Sequence, residues 1–551
     1  MHTRTAGLKT ITGLSLTALA LSACGGSAGD NGDAADEDTH ITAAMAYETD
    51  NYHPSSTTSA LAHSANWHVV EGLYELDMTN AEPYAALAAD EELEEISETE
   101  YQVTLREDAA FSDGTPVTAD DVVASFERTM DPENIYAPML DFIDEVTAED
   151  EQTVTISLNH PFTLIKERLP LVKIVPEDAT DEDLTAQPIG SGPWKYDSIS
   201  QDSIEFSPNE EYTGNRPAEA GSMEFQIILD DTARITALQE GTVQAVESVP
   251  QDMTEIVTGA GAEIESVQGF NLPFLMFNTG QEPFDDPQVR QAFFYAVNTE
   301  QLIDNALDGT ASPATSFLPE DHPNYNEAST VYDHDPEEAE RLLEEAGVED
   351  LSITLLTTDH PWITDLAPQI MNDLQEIGVD VSLQEEASAS LYANHTDVDD
   401  PTYDVALAPG DPSIFGSDPD LLMNWWYGDN IWTSSRSQWA ESEAFDDLHE
   451  ILDEAVEADE DEQQQLWNDA FDLVSEEVPI YPLFHREVIT GYDSETLEGF
   501  SPIGTTGLSF LETASEDEGE AGDGEDADDS DSADDTGNDT EEDTEDDSEE
   551  E

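Results

Sequence analysis

Between Asp335 and Gln384 the chain twice repeats the order helix, glycine, strand. Asp335 and Pro336 suit the N-cap and first helical positions of EEAERLLEEAG, which ends at Gly347 and leads into LSITLL; a further helix runs to Gly378 and leads into VDVSLQ. Glycine accepts the left-handed backbone that closes a helix, so the chain can turn at once into a strand. Two such units in succession predict an α/β lobe with a parallel or mixed sheet.

The same grammar appears earlier. Met223 to Leu229 alternates as a strand, DDTARITALQEG reads as a helix closed by Gly241, and a short apolar run follows at Ala245 and Val246. Thr118, with Asp121 three residues on, can cap a helix carrying Val122, Val123 and Phe126, flanked by the alternating strands YQVTLRE and QTVTISL. Asp286 and Pro287 suit the start of a helix through QVRQAFFYAVNTEQLIDNAL, where Val289, Phe293, Ala296 and Val297 share helical spacing. A chain of 551 residues exceeds what one core organises, so at least two domains or lobes are expected. The sequence has no short-period repeat.

Charge decides the partners. Against 129 Asp and Glu stand 14 Lys and Arg, a formal charge of -115, which excludes polyanionic nucleic acid as a natural partner. From Glu512 onward 23 acids and no bases fall in 40 residues, so residues 513–551 are expected to be a disordered acidic tail. The remaining 106 acids still face the same 14 bases. Such a surface repels itself unless molar salt shortens the Debye length to about 3 Å, which points to a salt-loving host.

The amino end has the parts of a secretory signal over residues 1–23. Arg4 and Lys9 precede an apolar run from Ile11 to Leu21, and LSAC ends at Cys24. The run is too short for an ordinary membrane span. LSAC resembles a bacterial lipobox, which implies cleavage before Cys24, a lipid on its sulfur and a place on the outer face of the cell membrane; an ordinary signal beside a chance cysteine is the alternative. Cys24 is the only cysteine, so it has no partner for an intramolecular disulfide. Residues 24–40 are small and acidic, as a flexible tether is. The GGSAG within them matches G-x-S-x-G but lacks the strand and helix that expose a nucleophilic serine.

Several phrases, taken together and in order, resemble the family 5 solute-binding proteins of bacterial ABC importers. They are EGLYELD from Glu71, TLREDAAFSDGTPVTADDVVASFERT from Thr104, PIGSGPWKY from Pro188, PFDDPQVRQAFFYAVN from Pro283, YDHDPEEAERLLEEAG from Tyr332 and VPIYPLFH from Val478. The resemblance spans about residues 41 to 512 and includes receptors for dipeptides, oligopeptides and nickel. It implies a two-lobed α/β, type II periplasmic-binding-protein-like fold. By that analogy lobe 1 comprises residues 41–270 and 486–512, with an extra domain at about 80–185, and lobe 2 comprises 271–485. It implies a monomeric receptor with no cofactor and no catalysis, which encloses a small solute where the lobes meet and passes it to permease subunits. Glycines in IGSGP lack the Lys-Ser ending of a phosphate loop and read as a structural turn.

The resemblance also implies where ligand sits. In peptide-binding members an aspartate in a comparable Gly-Asp segment meets the peptide ammonium; APGDPSIFGSDPDLL matches it, with Asp411 the better match and Asp418 a competing one. Each is followed by proline and equally suits a loop or helix-cap role. A buried carboxylate without a cation is costly, and an ammonium relieves that cost. Trp425 and Trp426 offer flat apolar area for a ligand or for the core; as neighbours in a strand they would face opposite ways. Arg436, a scarce base, can receive a ligand carboxylate in a two-bond fork or an acid of the protein itself.

Oligopeptide is the first expectation for the solute; a sugar or another organic solute would keep the tryptophans and release Asp411 from meeting a cation. No HExxH or paired-cysteine spacing marks a metal site, which weakens a nickel complex as ligand. A hydrolase or a surface sensor on the same fold are the rivals from other classes, and no ordered catalytic constellation supports the first.

Overall fold

Strand Asp36–Met45 alternates its side chains between two cores: Ile41, Ala43 and Met45 join Trp194, Phe206 and Phe225 on one face, while Ala44 joins Ile235, Leu238 and Val246 on the other. The strand is therefore covered on both sides, as the middle of an α/β sheet must be. The computed structural model describes residues 36–515 apart from 133, 349, 399 and 400. The expected signal over 1–23, Cys24 with the tether to residue 35, and the acidic tail from 516 lie outside the described residues.

This first sheet orders its strands Glu263–Gln268, Phe484–Tyr492, Ala245–Val246, Asp36–Met45, Ala220–Ile227, Ser203–Pro208 and Trp194–Ile199. Asp36–Met45 pairs in parallel with both neighbours, and helix Asp231–Gln239 joins two of the strands. Pairing starts at Asp36, opposite Ala220, so residues 36–40 of the stretch expected as tether belong to the sheet. At the other end Ala514–Ser515 pairs with Leu497–Glu498, and Ser515 Oγ donates to the His40 carbonyl at 2.8 Å. The first residues of the stretch expected as tail are thus fastened to the sheet.

The second sheet runs Asp380–Glu386, Ser352–Thr358, Val405–Gly410, Leu272–Phe277, Ile480–Pro482. The two helix-glycine-strand units supply its first two strands, which lie parallel; Gly347 and Gly378 take φ of 73° and 89°. A third, antiparallel sheet of Glu94–Ser97, Glu100–Thr104, Thr153–Leu158 and Ile143–Ala148 is inserted ahead of the last strands of the first, with helix Ala119–Thr129 against it. Val154, Ile156 and Leu158 point inward at every second position. Asp121 Oδ2 accepts from Thr118 N and Oγ1 at 2.9 and 2.7 Å, as the capping pattern predicts. The core of the inserted sheet continues into that of the second sheet; the rings of Tyr136 and Phe415 lie 5.5 Å apart at the junction.

The helix expected from Pro287 through Leu307 is two helices, Pro287–Ala296 and Thr299–Ala306. The first closes at Val297, and Asn298 caps the second, accepting from Gln301 N at 3.1 Å. The chain passes between first and second sheets through residues 268–272 and 482–486. These crossings are bonded side by side: Arg486 N donates to Asn271 O at 2.7 Å and Leu483 N to Pro273 O at 3.0 Å. Two lobes joined by paired strands can close by a small rotation at that seam.

Candidate ligand-binding site between the lobes

Val405–Gly410 is an inner strand of the second sheet, and its carboxyl end delivers Asp411 to the contact between lobes. Gly410 is needed there: a Cβ would lie 2.4 Å from Trp426 Cζ2. Asp411 Oδ1 accepts from Ser413 Oγ at 2.5 Å. Oδ2 accepts from Thr506 N at 3.0 Å, Thr506 Oγ1 at 2.9 Å and Thr505 Oγ1 at 3.2 Å. Thr505 and Thr506 come from the segment that returns after the last strand of the first sheet. One carboxylate therefore ties the two lobes through neutral donors. Burial pushes its pKa up from the ordinary carboxylate value, and these hydrogen bonds pull it partly back. Among the described residues no Lys, Arg or His nitrogen forms an ion pair with it.

Asp418 lies seven residues on and has a different environment. It caps helix Pro419–Tyr427, accepting from Leu421 N at 2.9 Å, and its Oδ1 also lies 3.1 Å from Arg168 Nη2. Its charge is answered by the buried guanidinium of the inserted domain. Trp425 and Trp426 lie on that helix rather than in a strand, about 100° apart around its axis. Trp426 is fully buried among Phe270, Phe274, Phe317 and Trp432; Trp425 is half-buried with its ring 4.7 Å from that of Phe415.

Arg436 ends the π turn Trp432–Arg436 and faces a second, Tyr392–Thr396; its guanidinium lies 4.2 Å from the Tyr392 ring and 4.1 Å from that of Trp432, two rings set nearly at right angles. Its Nε and Nη2 donate to Asp397 at 2.7 and 3.0 Å, so both prongs of the fork are taken. The five sequence-nominated residues thus divide: Asp411 lies at the seam, while Asp418, Trp426 and Arg436 are engaged within the protein and Trp425 lies between.

A cavity of about 280 Å³ opens beside Asp411. Ser413 and Thr505, both partners of Asp411, form part of its wall; Met78, Phe270, His322 and Leu422 supply more. Residues of both lobes therefore face one another across a mostly apolar space with several polar groups in its wall, the usual make-up of a small-molecule site.

Other groups at the seam were not singled out by sequence. Glu247 is buried, accepts from Ala46 N at 2.6 Å through Oε1 and leaves Oε2 without a partner; burial pushes its pKa up to about 7. Arg486 and Trp362 stack at 4.2 Å. The signal for Arg486 was its rarity as a base; for Thr505 and Thr506 no local pattern exists. Among the described residues no group of three His, Cys, Asp or Glu is arranged to hold a metal.

Comparison with known proteins agrees with this architecture. The glutathione-binding protein GsiB of Salmonella typhimurium is 25% identical over 441 residues, covering 74% of this chain and 82% of its own. The binding protein AgaA, solved with agropinic acid from A. tumefaciens R10, superposes with a TM-score of 0.76 at 25% identity, covering 87% of this chain and 99% of its own. Helicobacter pylori DppA in complex with the peptide STSA gives 0.75 at 21%, with 87% and 99% coverage. The sequence profile of the bacterial extracellular solute-binding proteins, family 5 Middle, matches residues 82–434. With its two lobes and inserted sheet, the chain belongs to that family of extracellular solute-binding proteins.

Proposed function

We propose that the protein is the extracytoplasmic receptor of an ABC importer, anchored by lipid at Cys24, which captures a short peptide between its lobes and presents it to permease subunits. The observation that carries the peptide assignment is Asp411: a carboxylate at the lobe seam with four neutral hydrogen bonds and no ion-pairing cation among the described residues. An arriving ammonium adds the missing charge at the point where both lobes meet, so binding and closure reinforce one another. Relatives named for glutathione and for di- and tripeptides support the same chemistry. Trp425, exposed in part beside Phe415, offers apolar area that a ligand side chain would cover. Asp418 is the alternative acceptor for the ammonium and Arg436 the alternative partner for a carboxylate, each at the cost of giving up an existing ion pair.

The test is mass spectrometry of peptides retained by the purified full chain after incubation with a random peptide pool. Recovery of intact peptides, lost on substitution of Asp411, supports the reading; a pool left wholly unbound, or cleaved, would overturn it. Lipid at Cys24 is read from the mass of the amino-terminal fragment of membrane-purified protein.

A further inference from the structure

The inserted domain touches both lobes, and its two contacts differ in kind. Toward the first lobe the chain crosses twice, and buried Glu71 ties the crossings together. Its carbonyl accepts from Ile174 N at 2.9 Å, and its carboxylate accepts from Arg106 at 3.0 and 3.2 Å and from Ser191 Oγ at 2.9 Å. Covalent crossings and a buried, fully answered charge make that joint a fixed one, so the inserted domain travels with the first lobe.

Toward the second lobe the chain makes no crossing, and side chains form the contact at two polar points. Arg168 Nη2 reaches Asp418 and Asp420 at the start of helix Pro419–Tyr427, at 3.1 and 2.7 Å. Thr163, exposed at the rim, meets the end of helix Glu443–Glu457. Its N and Oγ1 donate to Val456 O at 2.9 and 3.0 Å, and Gln463 Nε2 donates back to Oγ1 at 3.0 Å. Close by, His160 Nδ1 lies 3.7 Å from Glu457.

A cavity of about 440 Å³ runs along this contact, walled by Asp141, His160 and Arg168 of the inserted domain and by Asn424, His449 and Asp453 of the second lobe. Polar groups of both bodies thus already face a shared space. Parting them bares hydrogen-bonding surface that water can serve, and it returns three buried charges to water, recovering the desolvation that closing costs. Apolar contact at Tyr136 and Phe415 favours closing, while the polar points fix its register. Neither Arg168 nor Thr163 lines the cavity beside Asp411.

We infer that the inserted domain is a reversible clasp for the second lobe: Arg168 and Thr163 hold the receptor shut and set the balance of closed and open forms without touching the solute. A guest that closes the lobes gains these bonds as well as its own, whatever its chemistry. The clasp therefore stands apart from the peptide assignment.

Pulsed electron resonance on the ligand-free full chain tests it. Spin labels are placed at Asp202→Cys in the first lobe and Glu340→Cys in the second, both exposed positions, with Cys24→Ser removing the single native cysteine. The wild type should give one dominant label distance, that of the structure. Thr163→Glu has no side-chain donor for the Val456 carbonyl and sets a carboxylate beside Glu457, at a rim position that leaves the cores intact. It should raise the share of a second, distinct distance more than about tenfold. Arg168→Met, which leaves two acids facing one another in the closed form, should do the same. Wild-type distances in both variants overturn the clasp, and so does a wild type that lacks the distance of the structure. If Arg168→Met fails to fold, Thr163→Glu decides alone.

Discussion

Arg168 and Asp420 meet at 2.7 Å between the inserted domain and the second lobe, and the same Nη2 lies 3.1 Å from Asp418. Arg168 is fully buried, and Nη1 also donates to Met139 O at 2.7 Å. Burial pushes Asp420 up, with the guanidinium opposing and Asp418 reinforcing the rise. Removing the cation would leave two buried carboxylates facing one another. Arg168→Met is therefore expected to cost about 3–5 kcal/mol of stability in urea unfolding at high salt. A loss below about 1 kcal/mol would show that the junction is dispensable.

Asp411→Asn keeps the shape and one acceptor oxygen, enough for the Thr505 and Thr506 donors, but removes the charge. Retention of free-ended peptides should fall about 10- to 100-fold. The melting temperature of the ligand-free protein should stay level or rise, because an uncompensated buried carboxylate has been neutralised. Unchanged peptide affinity would remove Asp411 from the site.

Glu247 makes stability depend on pH in a predictable sense. Its folded pKa, about 7, lies above the ordinary 4.5, so between these values the folded protein holds more protons than the unfolded chain. This group's contribution is fully present below about pH 4.5 and is lost as pH rises through 7. Melting curves of wild type and Glu247→Gln should differ more at pH 8 than at pH 5; parallel curves would contradict the assignment.

Salt should stabilise the folded body. With 106 acids before the tail, raising NaCl from low to molar concentration is expected to increase the melting midpoint steadily. Chain truncated after Ser515 should show the same trend and unchanged ligand affinity. A midpoint indifferent to salt would refute the reading of the surface.

Local grammar carried the fold. Gly347, Gly378, Asp335 and the Thr118–Asp121 pair each act within a few residues, so their effect is visible in sequence and appears in the structure. The break at Asn298 was hidden because apolar spacing continues across it, while the capping side chain competes for the backbone. The tryptophan pair looked the same for strand and helix; Asp418 and Pro419 decided for helix. The site was far less legible. Asp411 depends on Thr505 and Thr506, some ninety residues later. Partners brought together only by lobe closure leave no spacing to read.

Because Thr505 and Thr506 complete the seat of Asp411, the pocket is among the last things the ribosome finishes. A nascent chain that has not yet reached residue 506 holds its aspartate without a clasp from the opposite lobe. A chain cut ahead of that loop would lack the three bonds that Thr505 and Thr506 give Asp411, and the part of the cavity wall that Thr505 supplies.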